Sequence, residues 1–413
     1  MGYKPLAALI CLTLSTLSIA RQGNARGAAQ SSSELTAARE LDGFIKEVMA
    51  FNITAGMAVA VVQNDRMVFA KGYGVTDVDR PRPVTANTQF YIASTTKALT
   101  ALAALIEEQK GHIDLGAPIS KYLPDMRLDP ALDPNAITVI DCLTHSHGIS
   151  GEGPVVERTA YSGSYTYRQL YELMALHPPA RNGRRFEYSN VGYNIAGFVL
   201  DPRREDGWKE IVDRDVLRPL GMTDTTAYIS RADKDRLAMP HGWNRTGLRR
   251  IAYAKADKTM HAAGGHISTV NDMSKLLTAE INGGKIGGKA VFPATLIERS
   301  QTKHINQDRM FGFIKRDGWG VGWDLGLDDG ERIVHRFGGF SGFQSHVSFV
   351  PDKHVAVVGF VNTAGPAALA CTWWRSTPTR CSSEWKTCRS DALRCWRVFA
   401  NCGRTRWPTR PSN

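Results

Sequence analysis

Cysteine is scarce over most of this sequence, since only Cys11 and Cys142 of the seven cysteines in 413 residues precede residue 371. Two cysteines cannot form the disulfide framework that stabilises small secreted folds. Hydrophobic residues make up 43% and charged residues 22%. These values are close to ordinary globular usage and exclude extensive disorder and a multi-span membrane protein. The length suffices for one large domain or two interleaved domains.

A strong excess of charge is also lacking outside the last 43 residues. The formal net charge is +11, but residues 371–413 hold nine Lys or Arg against two acids, and the other residues hold 42 against 38. A body so nearly balanced gives no indication of a nucleic-acid partner. The same tail contains five of the seven cysteines and five of the nine tryptophans. This abrupt change favours a frame-shifted reading of the tail, and the alternative is a genuine cysteine-rich appendage.

No apolar run is long enough for a confident membrane span. The segment Leu6–Ala20 follows Lys4 and is shorter than the roughly 20 residues of a spanning helix. It ends in Ser-Ile-Ala, a small-x-small pattern suited to signal peptidase. Residues 1–20 are therefore predicted to be a signal peptide, with export to a bacterial periplasm or secretion and no stable membrane insertion after cleavage. An uncleaved anchor is the alternative.

The periodicity of the body, residues 33–370, is typical of strands at both ends and helices between them. Met57–Val62 and Met67–Tyr73 have strand composition, and Asn64-Asp65 between them tolerates the positive φ of a tight turn. Apolar residues then recur at helical spacing, with Gly111 as the predicted stop of the first long helix. Other helices are predicted at Tyr167–Leu176, Tyr193–Leu200 and Trp208–Val216, and other strands at Val334–Phe337, Ser345–Val350 and Val355–Val361.

These elements predict an α/β (α+β) fold built from both ends of the body. An antiparallel sheet from about residues 55–92 and 320–362 is flanked by helices, and a mostly helical region of about residues 94–263 is inserted into it.

Candidate chemistry begins at Ser94-Thr95-Thr96-Lys97, which opens the first long helix. A serine and a lysine three residues apart share one helical face, with Cβ atoms about 5 to 6 Å apart. A lysine among apolar neighbours can lose its proton near neutral pH and activate the hydroxyl. Ser-x-x-Lys also occurs at Ser300 and Ser383, so the pattern alone is weak.

Two further elements add polar groups downstream. Tyr188-Ser189-Asn190 offers a phenol that could relay a proton and an amide that could orient Lys97 or a substrate carbonyl. A buried tyrosine beside a capping residue is the structural alternative.

The run His335 to Phe343 includes Gly338 and Gly339, where a ligand can approach the backbone. The Gly339 N–H could complete an oxyanion hole with that of Ser94, and Arg336 or His335 could bind a substrate carboxylate or leaving group. A glycine pair can equally mark a bulge or a turn.

In this order the three elements resemble the penicillin-recognising serine hydrolases, specifically the class C β-lactamase-like group with D-alanyl-D-alanine carboxypeptidases, D-aminopeptidases and esterases. The resemblance covers about residues 35–370. Further similar segments are Gly56–Val62, Lys71–Val75, Leu143–Gly148, Arg218–Met222, Ala262–Gly265 and Gly320–Trp323.

The resemblance implies a β-lactamase/transpeptidase-like fold and an acyl-enzyme on Ser94, with Lys97 and Tyr188 as proton-transfer partners. It implies Asn190, His335, Arg336, Gly338 and Gly339 as substrate-binding residues, and neither cofactor nor metal. Family members carry Lys or His at the first position of the third motif, where Arg336 keeps the charge but cannot give up a proton. His335 could replace it only if the strand slipped by one residue.

The sequence therefore predicts an exported serine hydrolase that cleaves an amide or ester of a small molecule or peptide: a β-lactam, a D-amino-acid peptide or a small ester. The alternative is a penicillin-binding sensor or scaffold with slow or absent turnover. A zinc site at His145 and His147 is not favoured, since His145 fits a loop segment of the family that the sequence resembles. The absence of Gly-x-Ser-x-Gly argues against an α/β-hydrolase. The oligomeric state stays open.

Overall fold

A computed structural model describes residues 37–364, apart from 162, 202–206, 245–246, 254, 312–313 and 329. The predicted signal peptide and the anomalous tail lie outside the described residues. The chain divides into two compact units, Met1–Glu47 and Val48–Asn413. The described part of the first unit is helical, and the second unit contains all the strands and the candidate site.

Ten α-helices and fifteen strands occur among the described residues. The helices are α1 (37–50), α2 (Thr96–Gln109), α3 (Val139–Thr144), α4 (Pro154–Tyr161), α5 (Tyr167–Glu172), α6 (Val191–Leu200), α7 (Trp208–Val212), α8 (Arg218–Leu220), α9 (Val270–Ile281) and α10 (Ala294–Gln301). The strands are β1 (Gly56–Gln63), β2 (Arg66–Gly74), β3 (Phe90–Tyr91), β4 (His241–Asn244), β5 (Gly247–Arg250), β6 (Ile267–Ser268), β7 (Lys285–Ile286), β8 (Lys289–Ala290), β9 (Ile305–Phe311), β10 (Ile314–Trp319), β11 (Asp324–Asp328), β12 (Glu331–Phe340), β13 (Phe343–Val350), β14 (Val355–Val361) and β15 (Thr363–Ala364).

An antiparallel sheet of eight strands organises the second unit, in the order β2-β1-β14-β13-β12-β11-β10-β9. Strand β1 pairs with β14, so strands from opposite ends of the body are neighbours in one sheet. The helices of the inserted region follow β3 and precede β9. The predicted α/β (α+β) architecture is therefore confirmed.

Local signals account for the β1–β2 hairpin and for helix α2. Asn64 has φ 55°, the positive value that the turn sequence predicts. Helix α2 is buried on every side from Thr96 to Glu107, as expected for a helix that is apolar nearly all round. It ends at Gln109, and Gly111 takes a φ of 76° two residues later.

The sheet differs from the prediction at two places. Phe90 and Tyr91 pair with β6 in a separate two-stranded sheet. Strands β9 and β10 extend the large sheet to Ile305, well before residue 320. Strand β9 is mostly exposed and carries Asn, Gln, Asp and Arg, so it lacks the apolar signal of a buried strand.

Contacts across the sheet hold the start of α2 in place. Ser345 on β13 donates a hydrogen bond to the carbonyl of Ile92 at 2.7 Å, and its hydroxyl lies 2.8 Å from that of Thr95. Ser345 is the register partner of Gly338 on β12. Two sheet strands therefore position the chain on both sides of Ser94.

Within the described ranges, no helix combines the length and the apolar character that a membrane crossing requires.

Candidate active site

Ser94 lies in a short 3-10 turn, Ala93–Thr95, that leads directly into α2. Ala93 has φ 45°, a left-handed value that a non-glycine residue adopts only when its surroundings enforce it. Ser94 is partly exposed, whereas Ala93 and Thr95 are buried. The turn therefore presents one hydroxyl to solvent at the N-terminal end of a buried helix.

Lys97 lies one helical turn further and is fully buried. Its Nζ donates to Ser94 Oγ at 3.1 Å, to Asn190 Oδ1 at 2.8 Å and to the carbonyl of Ala263 at 2.7 Å. Burial, together with the charge of Arg336, lowers its pKa to about 8 although Tyr188 acts in the opposite direction. The amine is oriented by fixed partners and is close to releasing its proton at neutral pH.

Tyr188 is brought to the same cluster from the segment before α6. Its hydroxyl accepts a hydrogen bond from Arg336 Nη2 at 2.5 Å, and Lys97 Nζ lies 5.1 Å from its ring centre. Burial alone would raise the pKa of this phenol. The charges of Arg336 and Lys97 and hydrogen bonds from Ser94 and Lys97 outweigh burial and lower the pKa to about 8.

Arg336 is fully buried and connects three parts of the cluster. Nε donates to the carbonyl of Ser94 at 3.0 Å, Nη1 donates to Asp324 Oδ2 at 2.9 Å, and Nη2 donates to Tyr188. Burial favours protonation of Asp324, but the positive charges around it, Arg336 foremost, lower its pKa overall. Asp324 therefore stays ionised and balances a permanent positive charge beside the phenol.

His335 lies on the other face of β12, because adjacent strand residues alternate. Its Nδ1 is 3.3 Å from His346 Nε2, and its ring lies 5.5 Å from that of Phe311. Burial lowers its pKa to about 4, which leaves the ring neutral. The structure thus brings Arg336, and not His335, to Ser94.

Gly338 and Gly339 differ in the space that surrounds them. A Cβ added at Gly338 would lie 2.2 Å from the carbonyl oxygen of Ile92 and 2.9 Å from the backbone nitrogen of Ser94. No atom would come within 4 Å of a Cβ at Gly339. Strand β12 therefore touches the Ala93–Thr95 turn at Gly338 and borders open space at Gly339.

Sequence reasoning missed Asp324 and treated His145 as a structural loop residue. The His145 ring packs 4.7 Å from that of Tyr188 and 4.4 Å from that of Trp319, and burial lowers its pKa well below the usual range. The uncharged rings of His145 and Trp319 thus pack beside the Tyr188 ring. The available signal for Asp324 was a lone carboxylate in an otherwise apolar stretch from Trp319 to Leu327.

Among the residues outside the masked segments, no three His, Cys, Asp or Glu side chains come together as metal ligands. The titratable groups beside Ser94 are Lys97 and Tyr188, and Arg336 adds a permanent positive charge.

Comparison with known proteins agrees with the family resemblance found in the sequence. The profile of the family described as Beta-lactamase matches residues 41–377. Protein flp of Staphylococcus aureus (strain NCTC 8325 / PS 47) is 22% identical over 329 residues, covering 78% of this chain and 63% of its own length. The unguisins hydrolase ungD' of Aspergillus campestris (strain IBT 28561) is 28% identical over 339 residues, covering 77% and 60%. The chain thus spans less than two thirds of these relatives.

Among solved structures, the octameric penicillin-binding protein homologue from Pyrococcus abyssi superposes with a TM-score of 0.68 at 24% identity. The alignment covers 81% of this chain and 76% of that protein. At this identity the likeness shows a shared fold.

Proposed function

The chain belongs to the β-lactamase family, and on that premise we propose that it is a serine hydrolase that forms an acyl-enzyme on Ser94. The observation that carries the proposal is the contact of 3.1 Å between a fully buried amine, Lys97 Nζ, and Ser94 Oγ. A serine hydroxyl is a weak nucleophile until a nearby base removes its proton. The fixed amine and the phenol beside it supply that base.

In the acylation step, Ser94 Oγ attacks the carbonyl carbon of an amide or ester while its proton passes to neutral Lys97 or to the Tyr188 phenolate. The new C–O bond forms as the carbonyl π electrons move to oxygen. Both groups have a pKa of about 8, so a useful fraction of each is deprotonated near neutral pH. Because the two titrate in contact, the proton belongs to the pair rather than to one residue.

The oxyanion would bind between the backbone N–H groups of Ser94 and Gly339. The close approach of β12 to the nucleophile at Gly338 and the open space beside Gly339 support this placement. The N-terminal end of α2 adds partial positive charge at the same point.

Collapse of the tetrahedral species breaks the bond to the leaving group, which takes the proton from the Lys97–Tyr188 pair. Water then attacks the acyl-enzyme through the same groups and regenerates Ser94. Arg336 cannot transfer a proton itself. Its role in this scheme is to keep the phenol acidic, through the hydrogen bond of 2.5 Å.

The substrate we propose is a β-lactam, a D-amino-acid peptide or a small ester. The name of the Aspergillus relative, a hydrolase of unguisins, supports hydrolysis as the reaction class. Export through cleavage of residues 1–20 is part of the same proposal and concerns residues outside the described part of the chain.

Intact-mass measurement before and after incubation with benzylpenicillin or p-nitrophenyl butyrate tests this function. We expect a mass increase on the wild-type protein, release of p-nitrophenolate over many turnovers, and neither signal with Ser94→Ala. Unchanged turnover by Ser94→Ala would refute the nucleophile assignment. A stable adduct without turnover would instead favour the penicillin-binding sensor.

A further inference from the structure

Lys255, one of three buried lysines among the described residues, has no acidic partner in that part of the chain. The residue is 7% exposed. Its Nζ donates to the carbonyl of Thr159 at 3.2 Å and to Tyr165 Oη at 3.3 Å, which leaves one of three N–H groups without a polar acceptor in the described part of the chain. An ammonium removed from water without a counter-ion is destabilising, so its presence requires a reason.

Aromatic rings around Lys255 supply only part of that reason. Nζ lies 4.3 Å from the ring centre of Phe340, 5.6 Å from that of Tyr165 and 5.8 Å from that of Tyr91. Cation–π contacts attract an ammonium, but they do not replace the hydration of a full charge. The surroundings of Lys255 are therefore suited to an anion as its partner.

Two series of contacts connect Lys255 to the proposed acylation site. Phe340, its nearest ring, directly follows Gly339 on β12. Thr159, whose carbonyl holds Nζ, accepts a hydrogen bond on its hydroxyl from Asn190 Nδ2 at 2.8 Å. Asn190 Oδ1 in turn accepts from Lys97 at 2.8 Å.

The chemistry of acyl transfer decides which part of the substrate meets Lys255. The leaving group must lie near its proton donor, on the side of Tyr188 and Arg336. With the carbonyl oxygen between the N–H groups of Ser94 and Gly339, the acyl group must extend to the opposite side. The contacts that connect Lys255 to the site run through Phe340, next to Gly339, and through the Asn190–Thr159 pair, so the acyl part of the substrate is the one assigned to Lys255.

Other polar atoms at this end also lack partners. Tyr253 Oη and His261 Nδ1 are buried without a hydrogen bond in the described residues. The Tyr253 ring contacts that of Tyr91 at 6.4 Å, and Lys255 contributes to lowering the pKa of His261 after burial. Both groups are neutral at neutral pH, because burial raises the pKa of Tyr253 and lowers that of His261. Lys255 is thus the group that can carry charge there.

We propose that Lys255 recognises a carboxylate at the far end of the acyl part of the substrate, so that the preferred substrates are amides or esters of dicarboxylic acids. This inference rests on the proposed acylation of Ser94. It adds a substrate class, since it requires a negative charge on the acyl group rather than on the leaving group.

The charge of Lys255 gives the proposal a pH signature. Burial lowers its pKa from 10.5 to about 7. Of the groups facing it, Tyr91 and His261 supply no negative charge at neutral pH, since burial raises the pKa of Tyr91 and lowers that of His261. The hydroxyl of Tyr165 donates its proton to the carbonyl of Thr259 at 2.7 Å. Lys255 is therefore mostly protonated at pH 6 and mostly neutral at pH 9, and the preference for an anionic acyl group is expected to fall between these values.

The test compares p-nitrophenyl esters of adipic, pimelic and suberic acid with the same esters whose free carboxyl is methylated. We expect wild-type kcat/KM to favour at least one free acid by about tenfold or more at pH 6, the effect of one charge-assisted hydrogen bond, and to lose that preference at pH 9. Taking the ratio for each pair cancels the titration of Lys97 and Tyr188, which act on both esters.

Two variants test whether the preference for a free carboxyl depends on the Lys255 side chain. Lys255→Met is expected to abolish it while retaining turnover of the methylated ester, and Lys255→Arg is expected to keep it at both pH values. Absence of a preference for every chain length, or its persistence in Lys255→Met, overturns the inference. If Lys255→Met fails to fold, the wild-type ratios at the two pH values decide alone. Failure of both ester types to acylate Ser94 would instead refute the proposed function.

Discussion

Arg336→Met removes a guanidinium group that carries a permanent positive charge and donates a hydrogen bond to Tyr188 Oη at 2.5 Å. This charge helps to lower the pKa of both Tyr188 and Lys97 to about 8. Without it we expect the pKa of Tyr188 to rise toward its ordinary value of 10.0, whereas the pKa of Lys97 rises less, because burial is the main cause of its lowered value. A rise of about two pKa units leaves roughly 100-fold less deprotonated base at pH 7, equivalent to about 2.7 kcal/mol.

The same change removes the cation that pairs with Asp324, and the resulting loss of stability must be separated from the effect on catalysis. Removing one partner of a buried ion pair destabilises a fold by about 3 to 5 kcal/mol. Arg316 Nη1, at 3.2 Å from Asp324 Oδ1, compensates in part. The double variant Arg336→Met/Asp324→Asn removes the stranded charge and provides the stability control, and Arg336→Lys provides the control that keeps a cation.

The measurement is the pre-steady-state burst of p-nitrophenolate from p-nitrophenyl butyrate between pH 6 and 10, with thermal unfolding of each variant. Because the proposed base must be deprotonated, the wild-type acylation rate is expected to fall tenfold per pH unit below about pH 8. If Tyr188 is the base, this midpoint is expected to move up by about two units in the double variant, with recovery of the rate at high pH. If Lys97 is the base, the shift is expected to be smaller, because Asp324 and Arg336 act on its pKa in opposite directions. A folded double variant with an unmoved midpoint would refute Tyr188 as a base whose pKa Arg336 controls.

Lys97→Ala is expected to slow acylation by about 100- to 10,000-fold if Lys97 is the principal base, and a loss below tenfold would transfer that role to Tyr188. Gly338→Ala places a Cβ 2.2 Å from the carbonyl oxygen of Ile92 and is expected to lower the melting temperature and displace Ser94, whereas Gly339→Ala meets no atom within 4 Å and serves as its matched control. Equal melting temperatures for the two glycine variants would contradict the close approach of β12 to the Ala93–Thr95 turn.

Local sequence signals predicted the elements whose causes are local. The β1–β2 hairpin follows from two β-rich runs around Asn64, and α2 follows from an apolar pattern that ends before Gly111. The predicted helix at Trp208–Val216 is real, but its second half, Asp213–Leu217, is wound as a π-helix. No propensity distinguishes that winding, because it depends on how α7 and α8 pack.

Composition could not predict which side chain of the third motif, His335 or Arg336, points toward Tyr188. His335 and Arg336 are adjacent and both carry nitrogen donors, so only the register of β12 decides which one meets Tyr188. That register places His335 opposite Ser348 and Arg336 opposite Val347. It depends on long-range pairing, and a shift by one residue would exchange the two side chains between the faces.

Burial, rather than spacing, separates the Ser-x-x-Lys pairs within the described residues. In the second pair, Ser300 is buried and donates to the carbonyl of Ile297 at 2.8 Å, while the Lys303 side chain is 46% exposed. The first pair is the reverse, with a partly exposed Ser94 and a fully buried Lys97. Nucleophilic catalysis needs a hydroxyl that substrate can reach and an amine that water cannot fully solvate. The sequence carries the same spacing twice here, and only the fold around Ser94 supplies both conditions.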